Sequence, residues 1–540
     1  MKDRRTLIAQ LGRQTFDLLV IGGGIVGAGI ARDAVMRGLK VALIEQGDFG
    51  SGASSKTSKL IHGGLRYLES RQFKLVSESL RERRTLRSIA PGLVKPFSFI
   101  LPAFAGSSRP LWKMRLGLWF YDRLASGKDF ASHHALSAAD TLSCVPELEQ
   151  AGLQGSGVYT DCQMDDARLC LANILQAVTF GAVCCNYVRM LDLIKVSNRI
   201  CGADVEDALT GKTYEIRAQV VVNAAGPWAD RLRQLCDPAA SRKLAPTKGT
   251  HLVLPRLADW PIFSEARKDK RMFFVLPWGA HTLVGTTESA VDAELESLRA
   301  SDNDMGYLLE ETNRLLPGRH IKPQDVLASF AGARPLLSFS GNPNTASREH
   351  QIEINRFGLI SILGGKFTTY RWMAQQTVDV VMRVKQWSLD RCLSARVSLI
   401  EEASPLALQH FRAVARSLQP EPLGELMVRY GAGVLPLLEI IERDGTMAHP
   451  VCVHHDTLWA ELAYHFRHEL ACTLTDVLVR RTRIAFSPCQ GLELLPTLQE
   501  VAQRYGGVSY PEAVKQAEHY RRYLDSNLSA PGHSRREIYA

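Results

Sequence analysis

The sequence predicts an α/β fold, with a Rossmann-like dinucleotide-binding domain opening the chain and an all-α domain closing it. Three observations carry this expectation. A short apolar run, FDLLVI (16–21), leads into a glycine-rich turn, a helical stretch and a second apolar run that ends at Glu45; this is the order of a βαβ unit. From about residue 391 the apolar spacing turns helical, with charged outer faces and no strand pattern between the helices. The 540 residues are 46% hydrophobic and 22% charged, an ordinary globular composition with enough apolar material for roughly two to four domains.

In chain order, residues 1–15 form an N-terminal segment, and the start of the chain, MKDRRTLIAQLGRQTF (1–16), lacks the apolar centre of a secretory signal. FDLLVI suits a buried parallel strand. The turn after it, Gly22-Gly23-Gly24-Ile25-Val26-Gly27, has the G-x-G-x-x-G spacing. Gly22 permits the tight turn, Gly24 lets backbone approach a pyrophosphate, and Gly27 lets helix and strand pack closely. The following helix, AGIARDAVMRG, offers free N–H groups and a positive dipole end to the anion. KVALI then ends in Glu45, a carboxylate able to accept from both hydroxyls of an adenosine ribose. The fingerprint does not choose between NAD and FAD; one such loop points to one bound dinucleotide.

Next comes SKLIHGGLRYL (58–68), with turn chemistry, two cation-capable groups (His62 and Arg66) after Lys59, and an aromatic hydroxyl, but no long apolar stripe. Alone it fits a loop entering a helix equally well. RPLWKMRLGLWFYDRL (109–124) mixes Arg109, Lys113, Arg115 and Arg123 with Trp112, Leu116, Leu118, Trp119, Phe120 and Tyr121. Such a mixture suits a helix lying in the headgroup layer of anionic lipid, or a core helix with a basic edge. Leu169–Val188 is uncharged for twenty residues, long enough by count to span a bilayer. Its polar interruptions and Gly181 favour a buried helix, DDARLCLANILQAVTF, followed by a strand, AVCCNYVRML. VVNAAGPW (221–228) ends a further strand in small residues.

The net charge of +9 and pI near 9.0 allow nucleic acid, an anionic substrate or anionic lipid as partners. No stacking-aromatic RNA signature or zinc-finger spacing is present, so no nucleic acid is expected. Eleven scattered cysteines without a C-x-x-C speak for reduced thiols in a reducing compartment and against a cluster or structural zinc. His465-Phe-Arg-His468-Glu469 and His454-His455-Asp456 imitate metal motifs without a sensible ligand set, so no metal is expected.

Family-specific segments run nearly end to end: VIGGGIVGAGIARDA, SKLIHGGLRYLE, DDARL (165–169), VVNAAGPWAD (221–230), KGTH (248–251), LPWG and VGTTE (276–288), GARPL (332–336), GGKFTTYR (364–371) and RHELACTLTDVLVRRTR (467–483). With these the chain resembles the respiratory, flavin-dependent glycerol-3-phosphate dehydrogenase family, within the D-amino-acid-oxidase-like flavoproteins. The resemblance implies an FAD-binding domain interleaved with a β-rich substrate domain over 16–390, a helical domain over 391–525 and a tail over 526–540. It implies non-covalent FAD, since no attachment motif is visible, and oxidation of sn-glycerol 3-phosphate with electrons passed to a membrane quinone.

Cofactor contacts implied by the resemblance are Gly22, Gly23, Gly24, Gly27 and Glu45; Ser58, Lys59, Leu60, His62, Gly63 and Gly64 along the flavin edge; Met190 at the adenine; Ala225, Gly226 and Trp228 at the pyrophosphate; and Gly332, Gly365, Lys366 and Thr368 at the flavin ring. Substrate phosphate falls to Arg66, Tyr67, Arg334 and Lys366, because a near-dianion in a partly dry pocket needs several fixed cations. A glycine near each of these cations fits backbone lying against a planar ring. His62 and His251 are both candidate bases, and Arg334 or Lys366 would stabilise oxygen as it gains charge.

Two other functions compete: a soluble oxidase of this flavoprotein group that uses oxygen, and a non-catalytic basic protein holding a dinucleotide as a structural or redox-sensing ligand. The oxidases' internal insertion is absent, and the substrate-side cations are all present. Neither a transit peptide nor a C-terminal calcium-binding extension is visible, which suggests a bacterial protein. The expected location is peripheral, on the cytoplasmic face of the inner membrane, without a transmembrane span. The sequence leaves a homodimer open.

Overall fold

The computed structural model of the protein describes residues 4–125, 130–291, 294–338, 348–388, 390–406, 409, 413 and 421–528. The first apolar run forms strand Thr15–Ile21, paired in parallel with Val41–Ile44 on one side and Lys212–Asn223 on the other. Ile360–Gly364 and Val183–Cys185 extend this parallel core, and His350–Ile354 closes one edge antiparallel. Strands covered on both faces bury nearly every residue, which is why they read as continuous apolar runs. Helix Ile25–Met36 connects the first two strands and packs against helices Asp166–Thr179 and Tyr370–Lys385.

A second, ten-stranded sheet is built from segments lying between the Rossmann strands: Leu60–Ile61, Val94–Phe104, His134–Leu136 and Leu153–Met164, then Thr247–Pro255 through Ala328–Arg334. Nucleotide-binding and β-rich parts are thus interleaved in sequence. Strand Thr247–Pro255 is buried along almost its whole length; His251 faces the cavity, while Lys248, on the opposite face, pairs with Asp304 at 2.9 Å.

Two expectations need correction. AVCCNYVRML is two strands: Val183–Cys185 belongs to the parallel sheet, Tyr187 turns the chain at φ 55°, and Val188–Val196 pairs antiparallel with Arg199–Asp207. A positive φ at a tyrosine is uncommon and carries no sequence mark. The C-terminal domain is helical, but Pro450–Cys452 and His455–Leu458 form a small hairpin within it; strands of three and four residues are too short to show a period of two. The N-terminal segment contains a helix, Arg4–Leu11, with Leu7 and Leu11 buried and Arg4 paired to Asp207 at 2.7 Å.

The uncharged run divides where Gly181 (φ 104°) ends helix Asp166–Thr179. Among the described residues no helix is long and apolar enough to cross a membrane. The last helix, Tyr510–Asn527, runs just past the expected end of its domain. The expected helix PLALQHFRAVARSL lies mostly, and the tail from 529 wholly, outside the described residues.

A buried ionic knot ties the helical domain to the nucleotide loop. Asp48, three residues after Glu45, accepts from Arg480 Nε at 2.6 Å, from Arg481 at 2.6 and 2.9 Å, and from Asn186 Nδ2 at 3.0 Å. Its two arginines hold the Asp48 carboxyl below the usual carboxylate range against the opposing effect of burial.

Candidate active site

A cavity of about 610 Å³ runs from Glu45 past the glycine loop to Lys366. At the nucleotide end the glycines are dictated by close approach. Gly22 sits at φ 112°, where a Cβ would lie 2.6 Å from Ala224 O, and a Cβ on Gly27 would collide with Gly22 O. Gly23 is equally constrained, since its Cβ would fall 2.7 Å from the Glu45 side chain. Gly24 is the N-cap of helix Ile25–Met36, whose first amide, Ile25 N–H, donates to Ser54 Oγ at 2.9 Å. Ser54 was not legible as a site residue. The Glu45 carboxylate accepts from Gly23 N–H at 2.7 Å and Gly47 N–H at 2.9 Å. Burial raises its pKa, those two donors opposing the shift, and its remaining lone pairs stay available to ligand hydroxyls.

Met190, Ala225, Gly226 and Trp228 line the same stretch. A Cβ on Gly226 (φ 55°) would meet nothing within 4 Å, so backbone there faces open space. The Trp228 indole donates to Glu296 at 2.6 Å. An elongated cavity with a carboxylate at one end, a helix N-terminus along it and exposed backbone at the other fits a dinucleotide.

At the far end Ser58, Leu60, His62, Gly64, Gly332, Gly365, Lys366 and Thr368 line the cavity, but Lys59 does not. Its buried ammonium points away from the cavity to Ser55 O and Asp166, each at 2.7 Å, with Lys59 at φ 59°; it anchors the loop. Gly63 also lies off the cavity wall. Its N–H donates to Asp161, and a Cβ there would come 2.5 Å from Leu80. The glycines beside the cations therefore make room for protein side chains: Gly64 (φ 85°) for the Tyr67 ring, Gly332 for Lys56 and Gly365 (φ 95°) for Met373.

Four cations converge. Arg66 lies over the Tyr67 ring with its centre at 5.0 Å, Lys366 Nζ is 5.4 Å from the same ring, and Arg334 and Arg348 approach Glu288 at 3.6 and 2.8 Å. Arg348 stands in no recognised motif, and nothing in the sequence distinguishes it from a surface arginine. Arg334 is held by Thr286 Oγ1 at 2.7 Å and by Thr287 O, and its guanidinium occupies the space a Cβ on Gly249 would fill. Lys366 Nζ donates to His62 O at 2.6 Å and to Ser79 at 3.3 Å.

Burial lowers Lys366 to about 8. It also pushes Arg334 down to about 10, against the pull of Glu288 and helped by Arg348 and Arg66. Burial alone would raise Tyr67, but Arg66, Arg348 and Lys366 bring it to about 8. Such an excess of positive charge suits a small dianion.

Both histidines face this cluster as neutral imidazoles. Burial, followed by Lys366, Arg66, Arg83 and Arg348, holds His62 well below its usual pKa. Burial, Arg334 and Lys59 do the same to His251. They differ in their partners. His251 Nε2 is 2.8 Å from Ser58 Oγ, its ring stacks on Phe330 and stands over Gly285, and its buried Nδ1 has no partner among the described residues.

The decoy histidine has a structural use: His465 Nδ1 meets Glu469 at 2.7 Å, and Glu469 pairs with Arg168. Cys452, Cys489 and Glu493 bring two thiols and a carboxylate within 4.8 Å of one another, a grouping that their spacing in sequence hides.

Comparison with known proteins agrees with this geometry. The family model for FAD-dependent oxidoreductases matches residues 17–371, and that for the C-terminal domain of alpha-glycerophosphate oxidase matches 361–512. A glycerol-3-phosphate dehydrogenase from Synechocystis is 35% identical over 96% of this chain and 98% of its own. The human mitochondrial glycerol-3-phosphate dehydrogenase is 35% identical over 94% of this chain and 73% of its own. The structure of a glycerol-3-phosphate dehydrogenase from Bacillus halodurans complexed with FAD superposes with a TM-score of 0.79 at 30% identity, covering 97% of both chains.

Proposed function

This chain belongs to the FAD-dependent glycerol-3-phosphate dehydrogenase family, and from that premise we propose that it oxidises sn-glycerol 3-phosphate to dihydroxyacetone phosphate and delivers the electrons to a membrane quinone. The supporting observation is the convergence of Arg66 and Lys366 on Tyr67, and of Arg334 and Arg348 on Glu288, in a dinucleotide cleft. FAD, held without a covalent link, would rest on Gly22–Gly24, Glu45, Ser58, Leu60 and Gly365–Thr368, and would supply the two-electron acceptor for the hydride of C2.

The protein's own residues do the rest. Arg66, Arg348 and Lys366 bind the phosphate through charge-assisted hydrogen bonds. Arg334, fixed in place by the threonines, faces the C2 oxygen as charge develops there. His62 takes the C2 hydroxyl proton: it lines the cavity, it is neutral, and its ring has no hydrogen-bond partner among the described residues. His251, tied to Ser58, positions the wall opposite.

A peripheral membrane seat on helix Leu111–Leu124 completes the reading. The helix has two opposed apolar faces, one burying Met114, Leu118 and Tyr121 and the other exposing Trp112 (68%), Leu116 (50%), Trp119 (45%) and Phe120 (46%). Leu118 and Tyr121 thus belong to the core and not to a lipid face. Arg109 is likewise spent on Glu69 and Glu265, and Lys113 lies 3.7 Å from Glu69, leaving Arg115 and Arg123 beside the exposed face.

The test is anaerobic mixing of the yellow holoenzyme with sn-glycerol 3-phosphate, or with glycerol as the control lacking phosphate. The phosphate ester should bleach the flavin at low concentration and glycerol should not. Equal bleaching by both, or by neither, would remove the phosphate-binding reading.

A further inference from the structure

Outside the cleft, three groups with the chemistry of metal ligands meet where the small hairpin of the helical domain approaches the turns that precede helix Leu495–Gly506. Cys452 ends strand Pro450–Cys452, and Cys489 and Glu493 lie on the turns between Phe486 and that helix. Their two sulfurs and a Glu493 carboxylate oxygen all lie within 4.8 Å of one another. The histidine motifs of the sequence supply no ligand here; the fold makes the grouping. Gln490 N–H donates to Ser487 O, Leu492 N–H to Cys489 O and Leu494 N–H to Gly491 O. These successive turns bring Cys489 and Glu493, four positions apart, to one side of the segment. Gly491 stands at φ 69°, and a Cβ there would come 2.8 Å from Ile484, so the turn tolerates no side chain at that point.

Backbone donors support both sulfurs. Cys489 Sγ accepts from Gly491 N–H at 3.4 Å and lies 3.4 Å from Ser487 Oγ. Burial raises the Cys452 thiol, and the N–H of His454, again two residues further on, opposes that rise. An N–H from two positions along each cysteine favours the thiolate, the form that binds metal. Both cysteines are half-buried and Glu493 is exposed, so an ion can reach them from solvent. Glu493 has no hydrogen bond or ion pair among the described residues, which leaves its carboxylate available. Three groups that are each anionic when deprotonated repel one another at this range, and a cation between them removes the repulsion.

We propose that Cys452, Cys489 and Glu493 bind one zinc-class divalent ion, which pins the hairpin to the turns that carry Cys489 and Glu493. Two sulfurs select a thiophilic ion over magnesium or calcium, which take oxygen ligands. Tetrahedral zinc with Zn–S bonds of about 2.3 Å holds its sulfurs about 3.8 Å apart, inside the 4.8 Å that the trio already spans. Water completes the fourth position on the exposed side. Binding releases the two thiol protons to solvent, and no electron moves. The pinned turns brace the active-site wall. Phe486 meets Trp278 and Phe330 edge-on at 5.3 and 5.9 Å, and Gln490 donates to Leu327 O at 3.2 Å. Phe330 is the ring on which His251 stacks. The site stands whichever substrate the flavin serves.

The experiment titrates cobalt(II) into the holoenzyme, chelator-treated and with its thiols kept reduced. It reads the d–d bands of tetrahedral, thiolate-bound cobalt at red wavelengths, where oxidised flavin does not absorb. One cobalt per chain, displaced by zinc, with a rise in the melting temperature, is the expected result. Cys452→Ser and Cys489→Ser should each abolish the bands and the rise, and Glu493→Gln should weaken binding by roughly tenfold or more. Flavin content reports whether each variant folds, and the exposed Glu493 can be changed without disturbing packing. Wild-type protein that shows no bands overturns the proposal. Cobalt binding that survives in both cysteine variants also overturns it, since other groups would then hold the ion. A Cys452–Cys489 disulfide in protein purified without reductant, with no cobalt taken up once it is reduced, overturns it too and makes the pair a redox couple.

Discussion

Replacing Arg66 by methionine keeps most of the volume of the side chain and removes its charge. The structure makes this the cleanest of the four cations to remove. Arg66 spends one donor on Tyr67 Oη at 3.3 Å, whereas Arg334 is braced by Thr286 and Thr287 and its loss would also leave those groups unpaired. The expected cost is therefore one charge-assisted contact to the phosphate, about 1.5–3 kcal/mol. At 1.36 kcal/mol per decade that is roughly 10- to 150-fold. Stopped-flow bleaching under anaerobic conditions, run against glycerol 3-phosphate concentration, should place the loss in the half-saturation concentration, with FAD content unchanged. Arg66 also lowers the Tyr67 pKa, so tyrosinate absorbance should appear at higher pH in the variant. Normal kinetics with lost flavin would show that Arg66 serves the cofactor and refute the assignment.

Three more outcomes are expected. Lys366 is charged below its value of about 8 and Tyr67 becomes anionic above a similar value, so both changes weaken anion binding as pH rises through 8. The KM for glycerol 3-phosphate should climb there, with no fall in kcat/KM near 6.5, because His62 titrates well below that value; a KM flat to pH 9 would contradict this. Trp112→Glu combined with Trp119→Glu should release the protein to the soluble fraction yet preserve turnover with a water-soluble dye, and undiminished sedimentation with membranes would show that this helix is not the seat. Acid precipitation should leave the yellow chromophore in solution; colour in the pellet would mean a covalent flavin.

Sequence made the nucleotide end legible because its determinants are local. Strand, glycine turn, helix and Glu45 lie within thirty residues, and Gly22, Gly23 and Gly27 are each forced by an atom of the same unit or of the segment beside it. The substrate end was half legible: Arg66, Tyr67, Arg334 and Lys366 sit in recognisable segments, while Arg348 and Glu288 matter through a fold that brings distant strands together. Glycine beside each cation was visible, but the reason was partly hidden, since Gly64, Gly332 and Gly365 yield to Tyr67, Lys56 and Met373. Lys59 was placed wrongly because its ammonium is held by Asp166, a partner that no local pattern marks. The knot of Asp48 with Arg480 and Arg481 joins residues more than four hundred positions apart, which no local pattern can reveal. Helix Leu111–Leu124 showed its mixed composition, yet only packing separated the buried Leu118 and Tyr121 from the exposed tryptophans.

The account turns on where the phosphate rests, and a structure of the holoenzyme with dihydroxyacetone phosphate measures that directly. Phosphate oxygens within hydrogen-bond distance of Arg66, Arg348 and Lys366, with the C2 oxygen toward Arg334 and His62, are the predicted result. A phosphate seated elsewhere in the cavity, for instance against Lys56 and Arg480, with the four cations untouched, would contradict it.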